Sequence, residues 1–300
     1  MFVVFATLLL TIVPDEPRQL KYVFKAGDEV KYINTNTRTT TYKKAGKKLE
    51  VSLEQKSANL WKVLSVSPDG GAEVSQTITR LRITQKGGPL GVQSIDSSSE
   101  ENPPAVQGLF DDLTKSNIRF KMNARGEVGD VVLPTKLKER LHLRKEGEAS
   151  LVTEDALVRM VKGSTFILPK KPLSVGDGWD LDPYAYQESG YWITMKTRFT
   201  YEGPVEQEGR KLLKVTRSAE YDVRKPKDET GTPEVAIKRQ HAEGFVLLDA
   251  VTCALVESSM AESLSTESGA GPQLVETETV INSSIKVKAP SNEKAEKTTP

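Results

Sequence analysis

Two histidines and one cysteine are all the soft chemistry this chain carries. His142 sits in a stretch rich in Lys and Arg, and reads as solvated; His241 follows "AIKRQ" and reads as a sheet-face residue. A catalytic histidine needs a carboxylate to orient it and a nucleophile to serve, and no close His/Asp cluster is present. Nor is there a G-x-S-x-G elbow or an H-E-x-x-H pair, so serine-triad and zinc hydrolysis have no motif to rest on. Cys253 stands alone, which excludes an intramolecular disulfide and argues against a cysteine metal site. It reads as a small buried apolar residue.

Carboxylates offer one further possibility. "DGWDLDP" places Asp177, Asp180 and Asp182 close together, and carboxylates at short spacing can bind hard cations. However, Trp179 lies among them and the ligand order of an EF-hand is missing. The simpler reading is a turn in which Asp177 accepts from nearby backbone N–H groups. Asp111 and Asp112 read as the polar face of a short helix. "QKGGPLG" lacks Walker spacing, and "KKAGKK" at residues 43–48 reads as a basic hairpin turn. No catalytic residue, metal or cofactor is assigned.

Charge excludes another class. Forty-two Lys and Arg face 41 Asp and Glu, a net charge of +1, so no long-range field favours nucleic acid. Apolar residues make up 37% and charged residues 28%, a balance that suits sheets with one wet face. The aromatic residues Trp61, Phe120, Trp179, Trp192, Phe199 and Phe245 are the candidates for a core or for the lining of an apolar ligand site. Trp192 falls on the otherwise polar face of its strand, so a cover for it is expected.

The elements that must position these residues are mostly strands. Period-2 alternation puts Leu49, Val51 and Leu53 on one face; Tyr191, Ile193, Met195, Phe199 and Tyr201 on another; and Leu213, Val215, Ala219, Tyr221 and Val223 on a third. Val275, Ile281, Ile285 and Val287 do the same. "SPDGG", "NARGE" and "EQEG" read as hairpin turns. The apolar parity shifts from Val74 and Ile78 to Leu81 and Ile83, which predicts a β-bulge near Thr79 and Arg80. Val106, Leu109, Phe110 and Leu113 mark a short amphipathic helix despite Gly108. Residues 134–162 read as helical, broken near Gly147, with Thr153 capping the second piece and Gly163 past its end.

The ends are read separately. Phe2–Val13 is an apolar run too short to span a bilayer but suited to a signal-peptide core. No basic residue precedes it and no clean cleavage site follows. The expected organisation is a signal-like segment (1–14), a first β-rich half (20–132), a helical connector (133–167), a second β-rich half (168–288) and a disordered tail (289–300). Both halves open on Gly-Asp, in "FKAGDEVKYI" and "KPLSVGDGWDLD", and both proceed through long strands and a hairpin to a Phe-led strand, "FKMNARGEV" or "FVLLDAVTCALVES". One unit used twice is the economical reading. The fold class is mainly β (α+β): two tandem curved antiparallel sheets, half-barrel-like, with a few packing helices.

Three stretches, "YVFKAGDEVKYI", "LFDDLTKSNIRFKMNARGEVGDVV" and "ILPKKPLSVGDGWDLD", resemble a domain-of-unknown-function family of exported bacterial proteins. The element from Leu168-Pro169 to Gly176-Asp177-x-Trp179 is the most specific, and the resemblance covers roughly residues 20–285. The architecture also looks like that of periplasmic lipoprotein carriers, whose half-barrel sheets wrap an apolar cavity, although the lipid-anchoring cysteine such carriers often have is missing. The resemblance implies a periplasmic or secreted protein and supplies no catalytic residues. The expected function is non-catalytic binding of a lipid or other apolar ligand, or of an envelope protein. The alternatives are an assembly module without a small ligand and, third, a carboxylate-based enzyme.

Overall fold

The alternation is realised as long strands. The computed structural model describes residues 16–89, 91–114, 116–142, 153–188, 191–225 and 234–288. Residues 1–14, Gly147 and the tail 289–300 lie outside them. In the first half come β1 (Glu29–Lys44), β2 (Lys47–Val66), β3 (Ala72–Gly87), β4 (Gln93–Asp96), β5 (Asn117–Met122) and β6 (Val128–Val132). The helices are α1 (Pro104–Thr114), α2 (Thr135–His142) and α3 (Glu154–Gly163). The second half holds β7 (Gly178–Asp180), β8 (Tyr184–Glu188), β9 (Tyr191–Gln207), β10 (Arg210–Arg224), β11 (Val235–Asp249), β12 (Leu255–Ser268) and β13 (Val275–Val287).

The strands form one open antiparallel sheet in the order β6-β5-β3-β2-β1-β13-β12-β11-β10-β9-β7, with β4 on β3 and β8 on β9. The sheets expected in tandem are thus fused edge to edge. The seam is β1 with β13, paired from Tyr32↔Val287 to Lys44↔Val275. Both seam strands are rich in Thr, Ser and Asn, residues that fit a pleat wet on one side.

Curvature follows from two neighbouring residues. The Tyr22 amide donates to the Ala124 carbonyl, in the β5–β6 turn, at 2.8 Å. The next amide, Val23, donates to the Thr252 carbonyl, in the β11–β12 turn, at 2.9 Å. On a flat sheet β5 and β12 would lie about 24 Å apart, five strand spacings. One dipeptide reaches both turns because the sheet curls around it.

Local chemistry explains the details. The bulge lies where the parity shift places it: Ala58 pairs with Arg80 and Asn59 with Ile78, leaving Thr79 unpaired. Ile78 and Leu81 are therefore both buried. At the β1–β2 turn Ala45 and Gly46 have φ of 48° and 76°, the geometry that twists correctly into a hairpin. A Cβ at Gly108 would stand 3.0 Å from the Arg140 guanidinium, the movable end of a long side chain. Arg140 and Lys136 of α2 both pair with Asp112 of α1. The run "FVLLDAVTCALVES" is not one strand. It breaks into β11 and β12 at a turn where the Asp249 carboxylate accepts from Val251 and Thr252, and buried Cys253 has φ +53°.

The core lies on one face and at one end of the strands. Leu20 and Tyr22 join Val74, Phe120, Leu137, Leu168, Phe199 and Val246 in a single cluster. α1 packs on β3 and on α2, and α3 packs on β6. Beyond this cluster β1, β2 and β9–β13 run on, carrying their core-facing side with them.

Candidate functional site

The two Gly-Asp turns are built alike. Gly27 and Gly176 have φ of +89° and +91°, a region other residues resist. The Gly27 amide donates to Val63, whose amide donates back to Asp28; the Gly176 amide donates to Tyr201, whose amide donates back to Asp177. The Asp28 and Asp177 amides close turns onto Lys25 and Ser174. Asp177 also accepts from the Ser174 amide at 2.8 Å, which is the turn role read from sequence. Asp180 pairs with Arg198 at 3.2 Å. His241 is exposed, with Nε2 3.8 Å from Glu243. The His142 side chain lies outside the described residues.

The six aromatic candidates divide. Trp61 meets Phe120 edge-on at 5.4 Å and Tyr32 at 5.2 Å. Trp179 stacks on Phe199 at 5.2 Å, and Phe166 from the connector meets both edge-on. These four side chains pack against protein. Phe245 is half-buried on the opposite sheet face, where it pairs with Thr216 and Ser259. Trp192 is 47% exposed, so the cover expected for it is missing among the described residues. Its strand neighbours there are Arg224 and Gln187, at the thin end of the sheet. Four clefts of 520, 290, 320 and 470 Å³ open elsewhere, and none of the six lines them.

The structure adds polar groups that alternation alone does not mark. On the core-facing side Gln76 is 1% exposed, and donates to Asn59, which donates to Ser57. Arg217 stands opposite Phe199 on one side and Gly244 on the other. Glu262, on β12, accepts the Tyr221 hydroxyl. Buried atoms without a hydrogen-bond partner include Gln76 Oε1, Asn34 Oδ1, Trp179 Nε1 and Arg217 Nε. Burial lowers the Arg217 pKa, and the negative charge of Glu262 offsets part of that. A signal was present: position 217 falls within the alternating apolar set of its strand, between Val215 and Ala219, and a cation there has to be turned inward.

Fold and site define a mainly β protein with one curled antiparallel sheet, packed at one end and open at the other. No known family and no curated protein matches the chain. Among solved structures it is similar to lipovitellin, described for its lipid–protein interactions, at 11% identity and a TM-score of 0.48. That match covers 91% of this chain but 26% of lipovitellin, so the chain spans about a quarter of that protein. It is also similar to a putative outer membrane lipoprotein-sorting protein domain from Vibrio parahaemolyticus, at 8% identity, covering 87% and 88% of the two chains with a TM-score of 0.15. A DUF1329 family protein from Desulfovibrio piger matches at 10% identity over 87% and 88%, with a TM-score of 0.13. Among the described residues no helix is long and apolar enough to cross a membrane.

Proposed function

We propose that this chain is an exported, non-catalytic envelope protein that holds an apolar molecule on the open reach of its core-facing sheet surface. One observation carries the reading. Past the core, the face that bears Phe199 and Tyr32 continues as half-buried Val51, Leu53, Met195, Leu264 and Ile281, while the helices pack at the other end. Apolar surface of this kind gains about 25 cal/mol per Å² when a ligand removes it from water. Export rests on the apolar run at residues 2–13.

A second reading has its own support. Trp61, Phe120, Trp179 and Phe199 fill space against one another instead of lining a cavity, which suits an assembly module that binds another envelope protein. Native mass spectrometry of protein purified from its own host separates the two. An apolar mass that co-purifies and leaves on solvent extraction supports the ligand reading. A bare polypeptide that cross-links to a protein partner overturns it.

A further inference from the structure

Two buried donors without acceptors lie in one row of the sheet. The register Trp179↔Phe199↔Arg217↔Gly244↔Met260↔Ser283 crosses β7, β9, β10, β11, β12 and β13. Directly opposed residues share a face, so Trp179 and Arg217 flank Phe199 on one face of the sheet, and the indole stacks on the Phe199 ring at 5.2 Å. Trp179 Nε1 and Arg217 Nε are both buried and both lack a hydrogen-bond partner. Neither side chain can accept a hydrogen bond. Two orphaned donors therefore call for one kind of complement, an acceptor brought from outside.

The surroundings narrow that acceptor. Gly244 gives Arg217 a neighbour with no side chain. Met260 of that row and, next along the strands, Ala219 and Ala242 form a small apolar group bordered by Met195 and Tyr221. Glu262 lies within electrostatic reach of Arg217, and its carboxylate is engaged by Tyr221. One acidic neighbour leaves room for a singly charged head more readily than for a doubly charged phosphate.

We infer that Arg217 and Trp179 receive the carboxylate of a long-chain amphiphile whose tail lies along Met195, Met260 and the open sheet face. This rests on the apolar-ligand reading above and adds the chemical class of the head. The carboxylate would accept from Arg217 and Trp179, replacing the water each donor gave up. A charge-assisted bond to guanidinium is the strongest available to such a head.

The test compares cis-parinaric acid with its methyl ester by fluorescence titration of the full chain, in the native protein and in Arg217→Met, Arg217→Lys and Trp179→Phe. The acid is expected to bind at least about tenfold more tightly than the ester. Arg217→Met should bring the acid down to the level of the ester, with Arg217→Lys between them, because it keeps the charge and loses the Nε donor. Trp179→Phe should weaken the acid and leave the ester unchanged. Equal binding of acid and ester, unaltered in all three variants, overturns the assigned head and leaves the apolar reading standing. Failure of both probes to bind overturns the apolar reading and this inference with it.

Discussion

Trp179 and Arg217 stand two strands apart in one cross-strand row with Phe199 between them, and each buries a nitrogen donor that has no partner. The arrangement has a stability consequence as well as a binding one. A buried donor on a charged group that finds no acceptor destabilises the folded state.

Arg217→Met is accordingly expected to stabilise the ligand-free protein, by about 1 kcal/mol or more, because an apolar side chain of similar length loses nothing there. Thermal unfolding of the native protein and the variant, both stripped by solvent extraction, measures this. A lower midpoint in the variant would show that the guanidinium is paired in the free protein.

The turn glycines separate strain from crowding. We propose that the chain is one unit used twice, on the strength of the shared hydrogen bonds at Gly27-Asp28 and Gly176-Asp177. A Cβ at either glycine would meet no atom within 4 Å, so Gly27→Ala and Gly176→Ala should each cost about 1 kcal/mol from backbone conformation alone. Gly126→Ala should cost about 3 kcal/mol or more, because its Cβ would stand 2.3 Å from the Phe166 carbonyl oxygen. Urea denaturation of the three variants ranks them.

How much of this was legible beforehand differs by element. The bulge at Thr79, the hairpins and the three helices follow from parity, turn residues and caps, which act locally. The fusion of two halves through β1 and β13 does not, because Thr and Asn strands match many partners and register is set by contacts far apart in sequence. Trp179 stands out in the sequence by its place after Gly176-Asp177. Arg217 is not legible in this way, since one cation among Val215, Ala219 and Tyr221 looks like an interruption until the strand is folded. Phe245 lies on the opposite face because Val246 and Leu248 hold the core-facing positions of its strand, a parity that the continuous apolar run around it hides in the sequence.

Core and rim aromatics should respond differently. Phe120, 1% exposed, should cost about 3–5 kcal/mol when cut to Ala. Trp192→Ala, at a residue 47% exposed, should stay within about 0.5 kcal/mol. The same denaturation measurement checks both, and a large loss at Trp192 would reveal a cover.

Acid sensitivity should centre on Asp96. The Arg80 guanidinium, bonded to it at 2.7 Å, holds its carboxyl well below the usual carboxylate range, and the Ser98 amide and hydroxyl act in the same direction. The folded pKa lies below the unfolded one, so the stabilisation is complete above about pH 4 and disappears as the pH falls toward the folded value. Asp96→Asn should remove that part of the acid dependence and cost about 1 kcal/mol or less at neutral pH. Unfolding followed from pH 7 down to pH 2 gives the comparison.

The whole reading rests on an apolar molecule that lies along the open reach of the core-facing sheet with its head at Trp179 and Arg217. The chain has three tryptophans, and Trp61→Phe with Trp192→Phe leaves Trp179 as the single indole. Titrating this variant with 9,10-dibromostearate places a heavy-atom quencher on the ligand tail. Saturable quenching that levels off at one ligand per chain is the expected result. Quenching that rises linearly without saturation, as for free tryptophan in solution, would contradict it.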